Sequence, residues 1–136
     1  MPTREVFWDG DKNKVIVSTL KDLMAELRKA TEEAVSIQIQ VDFVLSIDDR
    51  AFLLTVGEGN RSHVMFARGT PKKGNQRFDY VLDGIEEEPF HVFLYGGSCS
   101  EVAFNRTASY EAAVDALKEF FANGDRPGSL SWETPS

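Results

Sequence analysis

The stretch VSIQIQVDFVLS, Val35 to Ser46, puts Val35, Ile37, Ile39, Val41, Phe43 and Leu45 on one parity and Ser36, Gln38, Gln40, Asp42, Val44 and Ser46 on the other. Successive side chains of an extended chain point to opposite faces, so a period of two predicts a strand with one buried and one wet face. Its C-terminal neighbours decide the fold class. Ala51 to Val56 reads as a further strand, Gly57-Glu58-Gly59-Asn60 supplies residues that accept positive φ, and Ser62 to Arg68 returns as the second arm of a hairpin. Connections this short cannot hold a crossover helix, so these strands pair antiparallel.

Toward the N-terminus, Glu5 to Trp8 and Lys14 to Val17 flank the polar turn Asp9-Gly10-Asp11 and predict an opening hairpin. From Thr19 to Ala34 the apolar residues Leu20, Leu23, Met24, Leu27 and Ala30 recur at steps of three and four, with Ser18 or Thr19 as N-cap, which predicts an amphipathic helix. Downstream, a polar loop leads to strands at Phe78 to Leu82, Phe90 to Tyr95 and Glu101 to Phe104, with Gly96-Gly97 as a turn. Ser109 then caps a helix whose apolar face is Tyr110, Ala113, Val114, Leu117, Phe120 and Phe121. Asn123-Gly124 stops it, Pro127 bars resumption, and Ser129 to Glu133 makes a last strand with Leu130 and Trp132 on one face. The expected fold is α+β: a largely antiparallel sheet of about six or more strands with two amphipathic helices packed on it.

A chain of 136 residues fits one domain, 1–136, because cores of about 100 to 150 residues are the commonest size. The lone Cys99 excludes an intramolecular disulfide or a multi-thiolate metal site and suits a reducing compartment. The opening MPTREVFWDGDKNK lacks the apolar run of a signal peptide, and no stretch approaches the ~20 apolar residues of a membrane span, so the expected location is the cytoplasm, away from membranes. A net charge of −7 argues against direct nucleic-acid contact, which needs clustered cations, and favours a basic protein partner.

Catalytic patterns are thin. Cys99 needs a base to become a nucleophilic thiolate, but neither His91 nor His63 is spaced to supply one. Cys99 follows Gly96-Gly97-Ser98 in an expected turn, so solvent-facing histidines and an inert thiol are the expectation. Asp48-Asp49 and Glu86-Glu87-Glu88 lack metal-ligand spacing, and Gly57-x-Gly59 lacks the third glycine of a dinucleotide fingerprint; no cofactor is implied. Two features fit binding instead. Asp83, Glu86, Glu87 and Glu88 crowd four carboxylates into six positions, a density that steers a basic partner, and Gln38, Gln40 and Asp42 offer a polar sheet face as a platform.

The stretch SYEAAVDALKEFFANGDRPGSLSWET, Ser109 to Thr134, resembles the C-terminal signature of immunity protein family one of bacterial polymorphic toxin systems. In that family an alanine-rich helix with a phenylalanine-bearing end runs into a Gly-x-Arg-Pro turn and a short strand carrying tryptophan. The matching residues are Ala112, Ala113, Ala116, Phe120, Gly124, Arg126, Pro127 and Trp132, about a fifth of the chain being covered. The resemblance implies a non-enzymatic α+β protein that binds and neutralises a cognate toxin, nucleic-acid deaminases and nucleases being among the toxin types. It also implies that Gly124, Arg126, Pro127 and Trp132 are structural. Two other readings stay open: a small-molecule-binding module or enzyme with a pocket near His91 and Cys99, and a scaffold pairing through a sheet edge.

Overall fold

The computed structural model describes residues 3–8, 15–57, 61–69, 77–81, 90–95, 98–103 and 107–133; for 61, 90–95, 98–103 and 133 it describes the backbone alone. In chain order the elements are β1 (Arg4–Trp8), β2 (Val15–Ile16), α1 (Leu20–Ser36), β3 (Gln40–Ile47), β4 (Arg50–Gly57), β5 (Arg61–Arg68), β6 (Arg77–Val81), β7 (Phe90–Tyr95), β8 (Ser98–Ala103), β9 (Thr107–Ser109), α2 (Tyr110–Asn123) and β10 (Trp132–Glu133). Among the described residues seven strands lie side by side in the order β10-β6-β5-β4-β3-β1-β2, β9 joins on β5, and β7–β8 form a separate ribbon. Every pairing among them is antiparallel, so the fold is α+β.

The helices sit over different halves of one sheet face, α1 against β1, β3 and β4, and α2 against β4, β5 and β9. Between them lies the core. Val6 and Trp8, Phe43, Leu45 and Ile47, Phe52 and Leu54, and Val64 and Phe66 meet Leu23, Leu27 and Ala30 of α1 and Ala113, Ala116, Leu117 and Phe120 of α2. Each large side chain removed from water here contributes about 1.5–3 kcal/mol, which is what fixes the parity of the strands. Thr31 and Tyr110 join the helices through their hydroxyls, 3.4 Å apart.

The period-two reading of Val35 to Ser46 holds only from Gln40 onward. Val35 and Ser36 belong to α1, and Ile37, expected inward, is 59% exposed. The helical spacing Leu23, Leu27, Ala30, Ala34 carries the helix past the first residues of the alternating run. A Schellman end then stops it: Ile39 donates to the Ala34 carbonyl, Gln38 donates to the Val35 carbonyl, and Gln38 takes φ 59. Gly57, at φ +130, pins the start of β3, because a Cβ there would stand 2.6 Å from the Ile39 carbonyl oxygen.

The sheet forks at β5. Met65 to Arg68 pair with β6, while Arg61 to His63 pair with β9. On the opposite edge the ladder to β4 runs only from Arg50–Arg68 to Leu54–Val64. Beyond it the fully buried Ser62 hydroxyl accepts from the Thr55 N–H and donates to the Thr55 carbonyl, both at 2.9 Å. A side chain thus replaces a main-chain rung, and Thr55 keeps its backbone bonded where the strands separate.

Candidate interaction surface

The sequence candidates do not converge. Asp83, Glu86, Glu87 and Glu88 lie outside the described residues. Gln38 is no strand residue: it is the left-handed residue after α1, because the helix end consumes the position. Gln40 opens β3 opposite Gly57, and Asp42 is exposed with the Thr55 hydroxyl 3.4 Å from its Oδ1. The polar platform is therefore only one end of a face. The next residue of that parity, Val44, belongs to a cross-strand row of Phe7, Val44, Leu53, Met65 and Tyr80, all half-buried.

Cys99 lies in β8 opposite Leu94, not in a turn, because the second strand of the ribbon begins at Ser98 rather than Glu101. His91 pairs with Val102, three register steps from the Leu94–Cys99 pair, so the ribbon does not bring His91 and Cys99 together as neighbours. His63 is half-buried in β5, not facing solvent, since the Tyr80 ring of β6 packs 6.2 Å from its own and β9 pairs alongside it at Thr107.

The C-terminal stretch forms one connected unit. Ser109 caps α2 by accepting from the Ala112 N–H, and Gly124 ends it in the left-handed region at φ 71, its N–H donating to the Phe120 carbonyl. Arg126 then reaches down to Asp79, Nη1 to Oδ2 at 2.9 Å, where only 6% of the Asp79 side chain is exposed. Glu119 accepts the Gly128 N–H at 2.9 Å. Trp132 donates its indole N–H to the Pro127 carbonyl at 2.8 Å, and its ring packs edgewise on Phe52 and Phe66, which also flank Phe120.

No cation lies in the last turn of α2; the sheet supplies them. Arg4 donates from Nε to the Phe121 carbonyl at 3.1 Å and covers the Phe121 ring, while Arg50 donates to the Gly124 carbonyl at 2.9 Å. Both meet the negative end of the helix dipole. They belong to a longer row, in which Arg4 stands opposite Ile47, Ile47 opposite Arg50, Arg50 opposite Arg68, and Arg68 opposite Arg77. The sequence carries a signal for this row. Strands β1, β4 and β6 begin with arginine and β5 ends with it, and alternating strand directions bring those four ends to one side of the sheet.

In this acidic chain the described surface thus concentrates cations at one corner. Arg68 Nη2 lies 3.7 Å from the same Asp79 Oδ2 that Arg126 holds, and its guanidinium also packs on Phe66. Asp125 lies 3.8 Å from Arg50. Among the described residues no three His, Cys, Asp or Glu side chains are grouped to hold a metal ion, and no helix is long and apolar enough to cross a membrane. An open depression runs along α2 past Tyr110, Glu111, Val114, Asp115 and Lys118. Compared with models of known protein families and with curated proteins, the chain matches none.

Proposed function

We propose that the chain is an immunity protein: a non-enzymatic, cytoplasmic inhibitor that binds a cognate polymorphic toxin, a nucleic-acid deaminase or nuclease being the class its charge suits. The observation that carries this reading is the tail. The resemblance rests on the order and spacing of Gly124, Arg126, Pro127 and Trp132, and each spacing serves one interlocked unit. Gly124 turns the chain, Arg126 fastens it to Asp79, and the Pro127 carbonyl orients Trp132 over the aromatic cluster. In this chain those letters build one interlocked module, which assigns these residues to the fold rather than to the toxin.

The net charge of −7 supports a toxin with a basic substrate cleft, which an acidic inhibitor plugs. Binding is by a standard interface of about 800 Å² per partner, without turnover. The test is coexpression with the toxin encoded beside it: rescue of growth and a complex that survives gel filtration are expected, and a protein that never associates with that toxin overturns the reading. Replacing Glu86, Glu87 and Glu88 by lysine slows association at low salt if the acidic run steers docking; an unchanged on-rate removes that run from the interface.

A further inference from the structure

Two guanidiniums share one buried carboxylate at the corner of the sheet, and a third stands beside them. Arg126 makes a charge-assisted bond to Asp79 at 2.9 Å, which is what the fold requires of that corner. Arg68, directly opposite Arg77, approaches the same oxygen only to 3.7 Å, and Arg77 has no ion-pair or hydrogen-bond partner among the described residues. The side chains of Arg68 and Arg126 are 44% and 39% exposed, that of Asp79 only 6%, and Arg77 is exposed. The carboxylate lies beneath, and the surface presents N–H donors. Like charges on directly opposed strand positions repel, so the fold keeps Arg68 beside Arg77 at a cost. Asp125 lies toward Arg50 at the end of α2, and the β3–β4 turn of Asp48 and Asp49 reaches the Arg68 end of β5, the Asp49 carbonyl accepting the Gly69 N–H at 2.9 Å, so Arg77, one strand further out, is the more removed of the pair from these carboxylates.

We propose that Arg68 and Arg77, beside the Arg126–Asp79 pair that holds the corner, form an oxyanion-recognition site that takes the side-chain carboxylates of an acidic segment on the partner protein. A guanidinium presents its donors in a planar fork matched to a carboxylate, and two such forks on neighbouring strands, about 5 Å apart, match carboxylates one helical turn apart on an acidic helix. A nucleic acid offers phosphates to the same forks, but its dense charge also meets the −7 of the whole chain, whereas a protein carries a short acidic segment on an otherwise basic surface. The identity of the carrier rests on the protein-binding reading; the anion chemistry does not. An interface using both signs, basic here and acidic elsewhere, fixes the orientation in which the partner docks.

The test needs no toxin. A hexaglutamate peptide, a single-stranded decanucleotide and inorganic phosphate are titrated separately into the full chain at low salt, followed by calorimetry and by the arginine Nε–H resonances. Hexaglutamate is expected to bind and to shift Arg68 and Arg77, with affinity falling about fivefold in Arg77→Glu and again in Arg68→Glu. Arg28→Glu, an exposed change of equal charge on α1, is expected to leave binding within twofold. Circular dichroism checks that each variant is folded, and Arg77→Glu, which breaks no described contact, carries the test if Arg68→Glu is not. No binding, equal weakening by Arg28→Glu, or tighter binding of the decanucleotide than of the peptide each overturns the proposal. Failed toxin rescue with intact hexaglutamate binding would sink the immunity reading alone.

Discussion

The two helices end in opposite ways. The end of α1 is built from neighbours: Gln38 and Ile39 bond back to Val35 and Ala34, and Val35 and Ile37 face solvent. The end of α2 is built from distant residues, Arg4 reaching Phe121, Arg50 reaching Gly124 and Arg126 reaching Asp79. Both use a left-handed residue, a glutamine in the first and a glycine in the second. A helix can therefore stop by local bonding alone, but only the second stop ties three strands and the tail into one corner.

Four measurements put that contrast at risk. The largest effect falls on Phe120, fully buried beneath the tail: Phe120→Ala is expected to cost about 3–5 kcal/mol in urea unfolding, against less than about 0.5 for Val35→Ala at the other helix end. Equal losses would mean the corner is no more cooperative than the open end. Next, Arg126→Ala is expected to cost about 1–2 kcal/mol, since the buried Asp79 loses the nearest cation among the described residues while Arg68 stays near.

Backbone strain gives a smaller, signed pair. At Gly124 an added Cβ meets nothing within 4 Å, so Gly124→Ala isolates the left-handed penalty of about 1–2 kcal/mol. Gln38→Gly runs the other way and is expected to gain about 0.5 kcal/mol, strain relief exceeding the added chain entropy. Two losses would show that the Gln38 side chain contributes to its helix end. The smallest effect is acidic. The Gly128 N–H, followed by Ser129, holds the Glu119 carboxyl below its ordinary 4.5. Because the folded value is the depressed one, the stabilisation is present above the ordinary value and fades as pH falls through the folded value. Glu119→Gln is expected to lower stability slightly near neutrality and to converge with the parent as pH falls through that acid window, flattening the acid limb; an unchanged acid limb would detach Glu119 from the tail.

Much of the fold is legible in the letters. The spacing of Ala113, Leu117 and Phe120, the Ser109 cap and the Gly124 stop predict α2 to its ends, because cap, face and stop agree. Val35 to Gln38 mislead, since β-branched residues of alternating parity fit a strand as well as the last turn of a helix, and only the run of Leu27, Ala30 and Ala34 settles which. Strand β9 is invisible because three residues carry no period. The arginine corner is a different failure: its residues stand in plain view at the strand ends, but net charge is a sum over the chain and hides where the charges gather. An overall −7 points to acidic steering while four cations line one end of the sheet.

Ser62 bears on motion as well as on geometry. Its hydroxyl, not a strand partner, holds the Thr55 amide, so that amide can trade its proton for solvent deuterium whenever the serine rotates, even while the ladder from Leu54 to Arg50 stays closed. Thr55 thus reports the loosening of the fork alone, and the difference between its exchange rate and that of Leu53, whose amide faces β5 inside the ladder, times how often the Ser62 clasp opens.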